Sequence, residues 1–281
     1  MIKPFFAAAC SLLATLIAAG QDRYTATRPM PVGDILLTLP SSHIPADGTW
    51  EIKFMHRFNQ SIDEGEAIHT LFGLDSGANV GIGLSYVLTP RVQFSLTRSN
   101  VLDTFELAGK YVVLQQAAAV PVTATLRGGA AIRTERELED RSSLFVQAIV
   151  SREIGGRFGI YAMPTFATNA GRTAGAETSE ALFKQAFNVP VGVAFMMRPG
   201  LSIIAELIPP NSDLPETIDS DLGWALGVKR ALGGHYFEIL LTNSNSISAD
   251  QYVTSTYQGA PLRSGDIQLG FNIERRFGRK R

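Results

Sequence analysis

The stretch "GANVGIGLSYVLTPRVQFSLTRS", Gly77 to Ser99, holds two apolar ladders joined at one tight corner. Ala78, Val80, Ile82, Leu84, Tyr86 and Leu88 fall at every second position, and Val92, Phe94 and Leu96 resume the beat after Thr89-Pro90. Between them stand Asn79, Gly81, Gly83, Ser85, Gln93, Ser95 and Thr97. A period of two marks a strand with two unlike faces. A soluble β-sandwich also alternates, but it turns mainly Lys, Glu and Thr to water. Here the second face is small or polar, which suits an enclosed, crowded interior.

The same period recurs from Trp50 onward. "WEIKFMHRF" sets Trp50, Ile52 and Phe54 against Glu51, Lys53 and Arg57, and "FELAGKYVV" sets Phe105, Leu107 and Tyr111 against Glu106 and Lys110. Further runs follow, the last being "DIQLGFNIERRF", Asp266 to Phe277. Leu144 to Val150 is apolar on both faces. About twelve strands result, each near the length a tilted membrane strand requires. Tight connections (Thr89-Pro90, 115–120, Ile154–Arg157, Arg198–Gly200, Arg230–Gly234) alternate with generally longer polar ones. With an even strand count, both chain ends then lie on the short-turn side. The pattern predicts an all-β chain: a closed, antiparallel, up-and-down transmembrane β-barrel of about 12 strands. Aromatics near strand ends, Trp50, Phe58, Tyr86, Phe158 and Phe277, fit interfacial girdles.

Cost fixes the register. A Lys or Arg facing mid-membrane costs about 2–4 kcal/mol, so Lys53, Lys110, Arg127 and Lys229 belong inside and Ile52, Leu107, Leu126 and Val228 belong against lipid. The inward charges, as lumen-lining candidates, are Glu51, Lys53, Arg57, Glu106, Lys110, Arg127, Glu206, Lys229, Glu238 and Glu274. They form either a selectivity lining for a solute or a mixed-sign network that fills the lumen, and the second is the simpler account. Pro164 and Pro190 fall inside strands, where each removes a ladder donor, so bulges are expected there, with a kink shared between the two strands. His56 falls on the lipid-facing set, near the rim or turned by a bulge.

The bulk numbers agree with an exported β protein. The chain has 281 residues, is 45% hydrophobic and 18% charged, and carries a formal charge of -1. That is too apolar for a disordered chain and lacks the basic excess of a nucleic-acid binder. "MIKPFFAAACSLLATLIAAG" has a positive tip, an apolar core and a small-residue end, the layout of a secretory signal over residues 1–20. Cys10, the single cysteine, lies inside it, so a processed chain has neither disulfides nor a thiol nucleophile. Residues 21–49 carry Pro29, Pro31, Pro40 and Pro45 and read as a lead-in outside the sheet, either periplasmic or a lumen plug. "RRFGRKR" closes the chain; the barrel is expected over 50–277 and a basic tail over 278–281.

Motifs for chemistry are sparse. The histidines are His43, His56, His69 and His235, with no HExxH, no GxSxG and no phosphate-binding glycine loop. Outer-membrane lipases place a catalytic His and Ser close together on one strand. Here Ser244 is nine residues from His235, about 30 Å along an extended strand. No catalytic, cofactor or metal residues are assigned, and no enzyme activity is expected. The acidic runs Asp63–Glu66, Glu137–Asp140 and Pro215–Asp221 offer oxygen ligands to divalent cations but lack a calcium-loop spacing, and solvated loops are the simpler reading.

"SSHIPADGTWEIKFMHRF" (41–58), "FGLDSGANVGIGLSYVLTPRVQFSLTRS" (72–99), "MPTF" (163–166), "FEILLTNS" (237–244) and "DIQLGFNIERRF" (266–277) together resemble a bacterial outer-membrane β-barrel family catalogued as a domain of unknown function. The resemblance implies a membrane barrel and supplies no activity and no functional residue. Outer-membrane barrels commonly end in an aromatic residue read during assembly. Phe277 resembles it, although Gly278 to Arg281 follow. The expectation is an outer-membrane barrel that passes or binds a small solute, with membrane lipid and the barrel-assembly machinery as partners and no nucleic acid. A membrane-embedded enzyme acting on lipid and a soluble periplasmic β protein that binds a ligand are the alternatives.

Overall fold

The structure is a computed structural model, described over residues 30–62, 69–135, 140–171, 183–211, 220–257 and 266–278. The signal-like segment, the acidic runs at 63–66 and 137–139, most of 215–221 and residues 279–281 lie outside the described residues.

The barrel strands are β1 (Trp50–Phe58), β2 (Ala78–Thr89), β3 (Val92–Ser99), β4 (Thr104–Leu114), β5 (Thr123–Arg133) and β6 (Ser142–Ile154). Next come β7 (Phe158–Ala162) with β8 (Thr165–Ala170), and β9 (Phe183–Asn188) with β10 (Val191–Arg198). The set ends with β11 (Leu201–Ile208), β13 (Gly223–Leu232), β14 (His235–Thr242) and β16 (Gln268–Phe277). Each proline-divided pair acts as one strand, which gives a closed 12-strand antiparallel barrel. The first and last strands, β1 and β16, pair with each other, as do β5 and β6, so the sheet has no edge. In hydrocarbon this closure is obligatory, because an unpaired backbone group there costs several kcal/mol. Two short strands, β12 (Ser220–Asp221) and β15 (Thr256–Tyr257), pair outside the barrel.

Alternation sets the two faces. Ile52 opposes Leu84, Leu84 opposes Leu96, and Leu96 opposes Leu107, a continuous row across four strands. All four point outward, Leu107 with 59% of its surface exposed. Leu126 and Val228 join the same face. At the short-turn end Trp50 stacks on Tyr86 at 4.5 Å between ring centroids and opposes Phe277. Phe58, grouped with them from its position, differs: it sits at the other end of β1, buried against His56. His56 stays on the outward face without any reversal, half-buried and stacked on Phe271 at 5.0 Å.

The prolines interrupt strands without the expected bulges. Pairs Val150–Ala162 and Gln147–Thr165 advance by equal steps on both sides of Pro164, and Val191–Ala162 and Thr165–Asn188 do so across Pro190. No residue is inserted because local side chains absorb the lost donor. The Thr165 hydroxyl donates to the Met163 carbonyl at 2.8 Å, while Met163 N–H still reaches Pro190 O at 2.9 Å. The two breaks lie side by side on neighbouring strands. Register shifts fall elsewhere, at 87–89, 112–114 and 196–198, all near short-turn ends.

Candidate functional site in the barrel lumen

The lumen is full. Residues 30–49 enter from the short-turn end, where they join β1, and turn back at 34–41. Leu36 N–H donates to Leu39 O at 2.8 Å, and Ser41 N–H donates to Asp34 O at 2.9 Å. Gly33 makes the turn possible: its φ is +79°, and a Cβ there would lie 2.9 Å from a Glu274 carboxylate oxygen. Among the described residues, backbone bonds of 30–47 stay within the segment or go to wall side chains, with no ladder to the barrel.

Three wall residues grip this segment. The Glu206 carboxylate accepts the N–H groups of Leu37, Thr38 and Leu39, the nearest contacts being 2.8, 3.1 and 3.1 Å. Lys229 Nζ donates to Val32 O at 2.5 Å and Ile35 O at 2.6 Å, and it ion-pairs with Glu238 at 2.6 Å and Glu274 at 3.1 Å. Arg57 donates to Leu37 O at 3.0 Å and to Asn272 Oδ1 at 2.7 Å. On the other side, Asp34 of the segment bridges Lys53 and Lys110, the latter at 2.5 Å. Burial alone would raise the Asp34 pKa, but the two ammoniums outweigh it and hold the carboxyl well below its ordinary range.

Other inward residues of the wall are apolar. Phe145, Ile149, Tyr161, Met163, Ile204 and Leu240 point inward and enclose Met30, Val32, Leu36, Leu37 and Leu39. This explains why β6 reads as apolar on both faces: one side meets lipid and the other meets the segment. The largely small and polar interior expected from alternation thus includes a substantial apolar part. Interior glycines make the room. A Cβ on Gly192 would come within 2.6 Å of Leu36 Cδ1, and one on Gly227 within 2.8 Å of Leu37 Cδ2.

A second element fills the far end. After β14 the chain folds inward through Ser244 and Ile247 to α1 (Ala249–Tyr252), begun by a Ser248/Gln251 capping box. Ala249 N–H donates to Glu106 at 2.7 Å, Asp250 pairs with Arg133 at 2.6 Å, and Tyr252 Oη meets Gln147. Ile247 and Ile35 both pack with Met55, so the two fillers meet. Beside them remains a cavity of about 30 Å³, lined by Asp34, Lys53, Gln93, Glu106, Lys110 and Arg127 among others. That is room for a water or two.

All ten charged residues singled out in the sequence turn inward, with Arg127 the least buried of them. They do not form one constellation. Lys53, Lys110, Arg127 and Glu106 lie around the cavity. Arg57, Glu206, Lys229, Glu238 and Glu274 hold the segment or one another. Glu51 pairs with Arg276. Arg276 belongs to the basic run "RRFGRKR", yet β16 carries it to the interior, where it also donates to Tyr236 Oη at 2.7 Å. Its parity with Glu274 and Asn272 is the signal for this. Sequence reasoning missed Asp34, Arg133 and Asp250. The first sits in a proline-rich stretch and the last in a loop, where no period marks an inward position.

His235 and Ser244 lie at opposite ends of β14 and do not meet. Among the described residues no group of three His, Cys, Asp or Glu side chains is placed to hold a metal ion. Among the described residues no helix is long and apolar enough to cross a membrane.

No curated protein matches the chain. Among solved structures, the KdgM porin is similar over 81% of this chain and 99% of its own, with a TM-score of 0.50 and 7% identity. The NanC porin is similar over 82% and 100%, with a TM-score of 0.49 and 6% identity. Outer membrane phospholipase A from Escherichia coli is similar over 83% and 94%, with a TM-score of 0.41 and 10% identity. These likenesses concern the fold alone. A closed sheet with a greasy exterior and charged interior, in a chain of this kind, is an outer-membrane barrel with lipid around it. The model of a membrane-bound β-barrel domain, DUF5777, matches residues 33–277, and the chain belongs to that family.

Proposed function

We propose that the barrel is a passage for a small solute across the outer membrane and that its own N-terminal segment, residues 30–49, keeps it shut. One observation carries this reading: residues 30–47 of the filler are attached to the wall by side-chain hydrogen bonds and ion pairs rather than by a strand ladder, and only Gly48 and Thr49 bond to the backbone of β2. Such an element can leave without opening the sheet. Its departure would expose the short-turn part of a lumen rich in Lys, Arg and Glu, the chemistry of a hydrophilic path, with α1 left at the far end. We take residues 1–20 as the export signal, 21–49 as the lead-in that carries the plug, 50–277 as the barrel and 278–281 as a basic tail. Phe277, exposed and opposite Trp50, is the residue we expect the assembly machinery to read. We assign no enzyme activity.

Leu36, Leu37 and Leu39 are fully buried. Each contributes at most about 1.5–3 kcal/mol, so the resting barrel is closed. The same packing favours a second reading, in which the segment is a permanent core and the protein has a structural role. Planar-bilayer recordings separate the two. The full chain should be nearly silent, while a chain lacking residues 30–47 should give steady channels. Heat-modifiable migration in unboiled gels verifies that the shortened barrel persists. A persistent but silent shortened barrel, or equal conductance from both chains, overturns the gated passage.

A further inference from the structure

We propose that Lys53 and Lys110 form a binding site for the carboxylate of a small solute, and that Asp34 of the plug occupies that site in the closed barrel. The inference rests on the gated-passage reading and names its substrate class. Asp34 places one carboxylate oxygen on each ammonium, and the side chains of all three residues are about 5–6% exposed. The two lysines belong to the wall, on β1 and β4, whereas the carboxylate belongs to the removable segment. Removing the segment leaves two ammoniums side by side in a narrow lumen with no carboxylate between them. That arrangement is costly unless another anion enters.

The surroundings add recognition. The cavity of about 30 Å³ lies against this pair. Gln93 and Arg127 line it, and among the described residues Gln93 Oε1 and Arg127 Nη1 have no hydrogen-bond partner, while Arg127 Nη2 pairs with Glu106. Gln93 is only 2% exposed. A buried polar group left unpaired is a standing offer to a ligand or a water. A solute with a carboxylate and a further polar group would meet the lysines with the first and Gln93 or Arg127 with the second. Lysine ammoniums are flexible point charges, so the site selects charge more than planar geometry. Solute and Asp34 compete for one place, which links solute binding to release of the plug.

The test uses the full chain in detergent with Asp34→Ala, titrated with sodium acetate, sodium sulfate or sodium chloride at equal ionic strength. Binding is read by line broadening of ¹³C-acetate and by the thermal midpoint of the heat-modifiable band. Acetate should bind the variant saturably, about tenfold or more tighter than it binds the wild type. Adding Lys53→Met and Lys110→Met should abolish the response. Absence of saturable acetate binding overturns the site, and equal effects of chloride or sulfate overturn its assignment to carboxylates. If Asp34→Ala does not form a barrel, Asp34→Asn carries the same titration with the same outcomes. Because these readouts report binding, their failure would leave the conductance comparison of full and shortened chains unaffected.

Discussion

Glu206→Ala is expected to unseat the plug while the barrel stays closed as a sheet. The Glu206 side chain accepts three consecutive N–H groups, those of Leu37, Thr38 and Leu39. None of them has a backbone partner in a ladder, and the three residues are buried in the lumen. Leaving a buried donor unpaired costs about 1–3 kcal/mol, so three sum to about 3–6 kcal/mol once partial access of water is allowed for. At 1.4 kcal/mol per tenfold, the equilibrium between seated and released plug shifts on the order of 100-fold or more. Hydrogen exchange or limited proteolysis of residues 30–49 measures this directly, with heat-modifiable migration unchanged. Glu206→Gln keeps one acceptor oxygen and should show a smaller loss. Undiminished protection of 30–49 in the alanine variant would mean that the carboxylate does not hold the segment.

The second large effect is on the barrel itself. Lys229 sits between Glu238 and Glu274, and all three side chains are at most 1% exposed. It thereby ties β13, β14 and β16 together and also holds two carbonyls of the plug. Lys229→Met removes the cation and leaves two buried carboxylates close together. Breaking a buried ionic group from one side costs about 3–5 kcal/mol, which should appear as a lower urea midpoint for unfolding in detergent. Lys229→Met with Glu238→Gln and Glu274→Gln should recover most of that loss, since a neutral set leaves no uncompensated charge. An unshifted midpoint in the single variant would show that the network contributes little.

The outer face was legible because lipid imposes a rule on every second residue. The row Ile52, Leu84, Leu96, Leu107 follows from alternation and the known price of charge in hydrocarbon. The inward direction of Lys53 or Glu206 follows by the same rule. Their partners do not. Asp34 meets Lys110 across 76 positions, and Glu206 meets Leu37 across 169, separations that no local period encodes. Leu36, Leu37 and Leu39 lack a period because the segment is enclosed by walls on several sides. Nor does any local period show that Gly192 lies against Leu36, or that Gly227 lies against both Leu37 and the backbone of Ile239. The proline breaks were placed correctly along the chain but not in kind. A threonine hydroxyl, not an extra residue, satisfies the carbonyl that Pro190 leaves.

A covalent pin tests the closure most directly. The hydroxyls of Ser42 on the plug and Ser151 on β6 are 2.6 Å apart. Ser42→Cys with Ser151→Cys, in a background lacking Cys10 and carrying Glu206→Ala, can be locked by oxidation and freed by a reductant. Single-channel recording should find the oxidised protein silent and the reduced protein conducting, reversibly. Equal conductance in the two redox states, or silence in both, would contradict a passage governed by residues 30–49.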